Sequence, residues 1–238
     1  MKIAKVKNFT HNMTFGISYK IVSLLLPFAI RTIMIKQLGT EYLGISSLFS
    51  SILQALSLAE LGIGSAMVFN MYKPVAENDY PKLCAYMNFY KRCYRIIGTI
   101  VLVIGLILLP FLKNLIHGSY PTDINIYVIY LVYLLNTVLS YWLFAYKNSI
   151  ALAYQRTDIE SKILLVTQTT MSMAQIIFLL LFRNYYVYVV LIPIATLIKN
   201  ILVSVLIDKY FSEIKASGEL DVADKKNIFK NVGSLFGH

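Results

Sequence analysis

An all-α integral membrane protein is the fold class this sequence predicts, and three observations predict it. Of the 238 residues, 58% are hydrophobic and only 14% are charged, whereas a soluble domain carries about 25% charged residues. The apolar residues come in blocks that reach the length of roughly 20 needed to cross a bilayer as a helix. The basic residues gather between those blocks, where topology signals belong.

Six blocks have spanning length: residues 13–35, 42–69, 94–112, 124–146, 163–182 and 187–208. Between them, 36–41 and 183–186 read as short turns and 113–123 as a small loop, while 70–93 and 147–162 read as longer basic loops. With the N-terminus in the cytoplasm, sixteen Lys and Arg fall on the inner side, and three, Lys36, Lys113 and Arg183, on the outer side. That bias predicts a multi-pass protein of the cell membrane with a cytoplasmic N-terminus. Residues 1–210 form one six-helix transmembrane lobe in this reading. Residues 211–238 form a cytoplasmic segment ending in Ile228, Phe229, Val232, Leu235 and Phe236 at helical spacing. This is either an interfacial helix or the start of a truncated seventh span.

The net charge of +10 is absorbed by this topology, and no basic, aromatic soluble domain is left over for nucleic acid. The basic N-terminus lacks a small-residue cleavage site, so no cleavable signal is expected. Cys84 and Cys93 match neither a metal-ligand pattern nor a disulfide framework. His11, His117 and His238 are too dispersed to form a cluster by spacing. Glu60 is the one acid deep in any span, so no paired-carboxylate site is visible, and Asp158 and Glu160 read as solvated loop. No glycine-rich phosphate loop followed by Lys-Ser/Thr is present. Catalysis, metal and cofactor are therefore not expected.

The spans carry polar stripes. Ser46, Ser50, Gln54, Ser57, Glu60 and Gly64 fall within a sector of about 120° on the second. Lys20, Ser23, Pro27 and Arg31 share one face of the first, with Lys20 and Arg31 roughly 16 Å apart along the axis. Tyr133, Asn136, Ser140 and Lys147 group on the fourth, Gln168, Ser172 and Gln175 on the fifth, and Thr196, Lys199 and Asn200 on the sixth. The third has no stripe and reads as largely lipid-facing. Serines and amides also join helices to one another, which is the preferred reading for the serines and Gln54, and Gly62 and Ala66 have the small-xxx-small spacing of a packing face. Lys20 and Arg31 can equally snorkel to the interfaces. A central charge such as Glu60 or Lys199 costs about 2.5–3.5 kcal/mol on insertion scales and marks a pathway or a pair. The candidate cavity residues are thus Lys20, Arg31, Gln54, Glu60, Lys199 and Asn200. A mixed-charge interior with a basic excess suits an anionic, sugar-rich or phosphate-bearing cargo.

The stretch 37–83, "QLGTEYLGISSLFSSILQALSLAELGIGSAMVFNMYKPVAENDYPKL", resembles the polysaccharide-biosynthesis flippases of the multidrug/oligosaccharidyl-lipid/polysaccharide exporter superfamily. The closing "NIFKNVGSLFGH" is similar to the first turns of that family's seventh helix. The resemblance implies two six-helix lobes around a central cavity that opens to each leaflet in turn. It implies an undecaprenyl-pyrophosphate-linked oligosaccharide repeat unit as cargo, for surface polysaccharide biosynthesis, with Lys20, Arg31 and Lys199 near pyrophosphate or acidic sugar. This sequence supplies one lobe, so the chain is expected to be an N-terminal half. Its partners would then be membrane lipid, the lipid-linked oligosaccharide, and either the missing C-terminal lobe or glycan-assembly proteins. A cation or drug exporter of the same superfamily and a non-transporting scaffold of a glycan-assembly complex are the competing expectations.

Overall fold

The computed structural model describes residues 2–57, 63–116 and 119–236. It is all-helical, with 86% of residues in helices and no strand among the described residues. In chain order the helices are α1 (Lys2–Gln37), α2 (Thr40–Ser57), α3 (Ile63–Glu77), α4 (Tyr80–Leu108) and α5 (Leu112–Leu115). They are followed by α6 (Ile126–Trp142), α7 (Asn148–Ala153), α8 (Thr157–Phe182), α9 (Tyr185–Tyr210) and α10 (Val222–Phe236).

Four helical stretches are long and apolar enough to cross a membrane: Gly16–Gln37, Tyr80–Leu115, Thr157–Phe182 and Tyr185–Tyr210. A fifth forms when α6 is joined to Ala145–Ala153 across a bend of 42°. That bend sits at Phe144, which takes a left-handed φ of 56°. The expected second span, 42–69, is instead described as two helices, α2 ending at Ser57 and α3 starting at Ile63. Neither is long and apolar enough on its own, because five serines and Gln54 dilute the apolar content of α2.

Local chemistry explains where these helices begin and end. The α1–α2 turn places Gly39 at φ 117°, a conformation that a side chain would oppose, and the Leu38 and Gly39 N–H groups donate to the Met34 carbonyl. Asn125 caps α6 and Asn184 caps α9, each side-chain oxygen accepting two N–H bonds from the first turn. The expected loop 70–93 is almost entirely helical. It is broken at Asn78 (φ 55°), after which Asp79 accepts from Lys82 N and Pro81 opens α4. Likewise the expected loop 147–162 holds α7 and the first turns of α8.

Helices α1, α8, α9, α6 and α4 pack in that order, each mainly on the next. At the α4–α6 contact two glycines leave no room for a side chain. A Cβ on Gly98 would lie 2.6 Å from the Trp142 ring, and one on Gly105 would lie 2.4 Å from Leu134 Cδ1. Tyr130 Oη donates to the Gly105 carbonyl at 3.0 Å. The expectation of a largely lipid-facing third span therefore holds for one face only, where Ile96, Ile100, Val103 and Ile107 are exposed. The other face is built from glycines spaced two turns apart so that helix backbones can approach closely.

After α9 the chain turns back along α3 and α4. Asn88 donates to the Gly218 carbonyl at 2.7 Å, Arg92 pairs with Glu219 at 3.2 Å, and Lys82 pairs with Asp224 at 2.9 Å. Ile214, Leu220 and Ile228 are buried beneath this strap.

Candidate functional site

The polar stripes of five helices meet in one cavity of about 780 Å³. Helix α2 contributes Ser46, Ser47, Ser50, Ser51, Gln54 and Ser57, with Leu53 beside them, while Ile45 and Phe49 are buried in the core and do not line the cavity. Phe49 sets its ring edge-on to Tyr130 at 5.3 Å, which fixes the rotation of α2. Tyr133, Asn136 and Ser140 come from α6, Gln168, Ser172 and Gln175 from α8, and Tyr188, Thr196 and Lys199 from α9. Arg31 and Pro27 come from α1.

Some of these groups are tied to one another. The Ser46 and Tyr133 hydroxyls lie 2.7 Å apart, and Thr196 Oγ1 donates to Asn136 Oδ1 at 2.6 Å. Others are tied to their own helix: Ser140 donates to the Thr137 carbonyl, Ser57 to that of Leu53 and Thr167 to that of Ile163. Ser46 with Tyr133 and Thr196 with Asn136 thus join helices at the cavity wall, whereas Ser57, Ser140 and Thr167 bond within their own helices.

Among the described residues, the charged side chains on this wall are Arg31 and Lys199, both cationic. Two positive charges in a partly dehydrated pocket act more strongly on a ligand than the same charges on a surface. The wall can therefore hold an anion and hydrogen-bond a hydroxyl-rich group beside it.

Each candidate from the sequence has a definite place. Arg31, Gln54 and Lys199 line the cavity. Lys20 does not; it lies exposed on α1, where its carbonyl accepts from Ser23 Oγ. The eleven residues separating it from Arg31 carry it past the end of the cavity. Asn200 is buried, donates from Nδ2 to the Leu139 carbonyl at 3.4 Å, and lines a smaller cavity of about 300 Å³ that shares Lys199 and Ser140 with the large one. Ala66 is buried in the core on α3. Glu60 and Gly62 lie outside the described residues.

Lys147, expected on the α6 stripe, lies beyond the bend. It donates to Ser204 Oγ and to both carboxylate oxygens of Asp208.

Asp158 and Glu160, expected as solvated loop residues, are both engaged in the structure. Asp158 is only 2% exposed; it takes a two-pronged bond from Arg156 at 2.8 and 3.1 Å and has Lys162 at 3.9 Å. These bonds raise the Arg156 pKa from its ordinary value. Glu160 accepts from Asn148 Nδ2 at 2.6 Å and faces the smaller cavity. The Asp158–Lys162 spacing of four was the legible signal for a helix here.

In comparisons with known proteins, no family model, no curated protein and no solved structure matches the chain.

Proposed function

We propose that this chain is one lobe of a flippase that carries undecaprenyl-pyrophosphate-linked oligosaccharide repeat units across the cytoplasmic membrane for surface polysaccharide biosynthesis. The observation that carries the reading is a polar cavity, walled by five helices, whose charged lining among the described residues is cationic. Arg31 and Lys199 neutralise the pyrophosphate, and the serines and amides of α2 and α8 exchange hydrogen bonds with the sugar as it leaves water. The polyprenyl tail stays in the bilayer. A second lobe closes the open side, and rocking of the two lobes exposes the cavity to each leaflet in turn. The N-terminus lies in the cytoplasm in this reading, consistent with the Lys and Arg residues gathered at Lys82, Lys91, Arg92 and Arg95 in α4 and at Lys209, Lys215, Lys225 and Lys226 around the α9–α10 connection.

Binding in nanodiscs tests the reading. The purified chain is expected to bind undecaprenyl pyrophosphate in preference to undecaprenol, and Arg31→Gln is expected to weaken that binding by on the order of tenfold, the value of one charge-assisted contact. Equal binding of the two lipids, or a preference for a cationic dye, would sink the proposal and favour a cation exporter.

A further inference from the structure

A separate cavity of about 470 Å³ shares no lining residue with the large one. Its walls include Lys91 of α4, Tyr146 and Lys147 just beyond the bend after α6, Asp208 near the end of α9 and Lys215 of the strap. Three ammonium groups therefore stand against one carboxylate. Lys147 engages that carboxylate through both oxygens, at 2.7 and 2.6 Å, and donates to Ser204 Oγ at 2.8 Å. Lys91 and Lys215 pair with no carboxylate among the described residues. Lys91 Nζ stands 5.8 Å from the centre of the Tyr146 ring, near the outer reach of a cation–π contact. The Lys215 N–H donates to Cys84 Sγ at 3.3 Å, which fixes this part of the strap against α4. The pocket thus holds two positive charges in excess.

The spans around the pocket set its depth in the bilayer. Helix α4 carries no charged residue from Ile96 to Leu112, and α6 with the bend after it carries none from Ile126 to Tyr146. Arg95 and Lys147 are the first charges beyond these runs, at the same end of the bundle. Trp142 marks that level: its ring is exposed, and its Nε1 donates to the Arg95 carbonyl at 3.3 Å. A tryptophan beside basic residues at the end of an apolar run is the pattern of a membrane–water interface. The pocket lies at headgroup depth.

An apolar furrow runs from this level into the hydrocarbon. On α6, Leu131, Leu135 and Trp142 are exposed in one row beside Tyr130 and Leu134, which meet α4 at Gly105. On α4, Leu102 and the exposed Leu106 follow Arg95 on the same face by helical spacing. The seam between the two helices is apolar up to its basic end.

We infer that this pocket binds the headgroup of an anionic phospholipid, whose acyl chains lie along the α4–α6 furrow. The Lys91 and Lys215 ammonium groups donate to the phosphate oxygens, while Lys147 stays on Asp208 and offsets its charge. Basic pockets between spans recognise anionic headgroups in this way. The charge selects phosphate, and the furrow selects a lipid over a soluble ion. Because Lys91 belongs to α4 and Lys215 to the strap, the headgroup ties the strap to the bundle. The inference rests on the membrane reading of these spans and is independent of the cargo.

Trp142, the single tryptophan, lies beside the furrow and reports on it. The full chain is reconstituted in phosphatidylcholine vesicles containing a minor fraction of brominated phosphatidylglycerol, or of brominated phosphatidylcholine with the same chains. Bromine quenches the indole on contact. Phosphatidylglycerol is expected to quench at the lower mole fraction, by about fivefold for each unpaired lysine of the pocket, the scale of one basic residue at an anionic surface. Lys91→Gln and Lys215→Gln should each remove about that factor, and together they should erase the preference. Lys226→Gln, at an exposed position on α10, should leave it unchanged. Asp208→Asn releases Lys147 and should raise the preference, a change that a misfolded chain would not give.

Equal quenching by the two lipids in the wild type would overturn the inference. An equal loss in Lys226→Gln would do so too, because the attraction would then belong to the whole basic surface. Loss of the preference in millimolar inorganic phosphate at constant ionic strength would assign the pocket to a soluble anion and also overturn the lipid.

Discussion

A Cβ on Gly105 would stand 2.4 Å from Leu134 Cδ1, so α4 and α6 meet where a hydrogen atom takes the place of a side chain. Leu134 is 1% exposed and has nowhere to retreat. Gly105→Ala is therefore expected to destabilise the protein by about 1–3 kcal/mol, the usual cost of overpacking. Gly98→Ala meets Trp142, which is 43% exposed and can swing outward, so its cost should be smaller. Thermal unfolding followed by the fluorescence of Trp142, the single tryptophan, measures both. Equal losses would show that the two glycines are not distinguished by the room behind their neighbours.

Asp158 anchors the start of α8 through Arg156. Asp158→Asn leaves a partly buried guanidinium short of its two-pronged partner, and the same assay should show a loss of about 2–3 kcal/mol. The partners are 26% and 41% exposed, which keeps the figure below that for a fully buried pair. A loss below about 0.5 kcal/mol, the level of an ordinary surface pair, would show that water already screens the site.

Four of the six expected spans, and a fifth if α6 is joined to Ala145–Ala153, were legible because hydrocarbon demands long apolar runs; the block 42–69 was not one of them. The cavity wall was also legible. Ser46, Gln54, Asn136, Gln168 and Lys199 each stand out as polar residues on an apolar helix, and helical spacing places each group on one face. Three things were not. Gly98 and Gly105 sit in a run of valines, leucines and isoleucines, and no local signal says which face of α4 meets α6. Asp158 and Glu160 follow Gln155 and Arg156, a turn-like stretch whose burial depends on α7 folding back over it. Lys20 falls on the Arg31 stripe, but angular position says nothing about how far along α1 the neighbouring helices reach.

The strap after α9 is held by polar contacts on the outside of α4. Lys82→Met removes the pair with Asp224, whose side chains are 39% and 18% exposed. The strap, which contains Lys215, should then open more often, and limited trypsinolysis within 211–221 should quicken about two- to fivefold, the kinetic equivalent of a modest ion pair. High salt should produce a similar change in the wild type and little further change in the variant. A strap cut equally fast in the wild type and in the variant would place its hold in Ile214, Leu220 and Ile228 instead.

The central claim is that the cationic cavity moves a lipid-linked glycan. The most direct measurement is the leaflet distribution of undecaprenyl-linked repeat units in cells carrying the native gene, lacking it, or carrying Arg31→Gln. The account predicts that repeat units accumulate on the cytoplasmic leaflet and surface glycan falls when the gene is lost, with Arg31→Gln giving the same defect at normal membrane levels of the protein. An unchanged pool and unchanged surface glycan in both strains would contradict it.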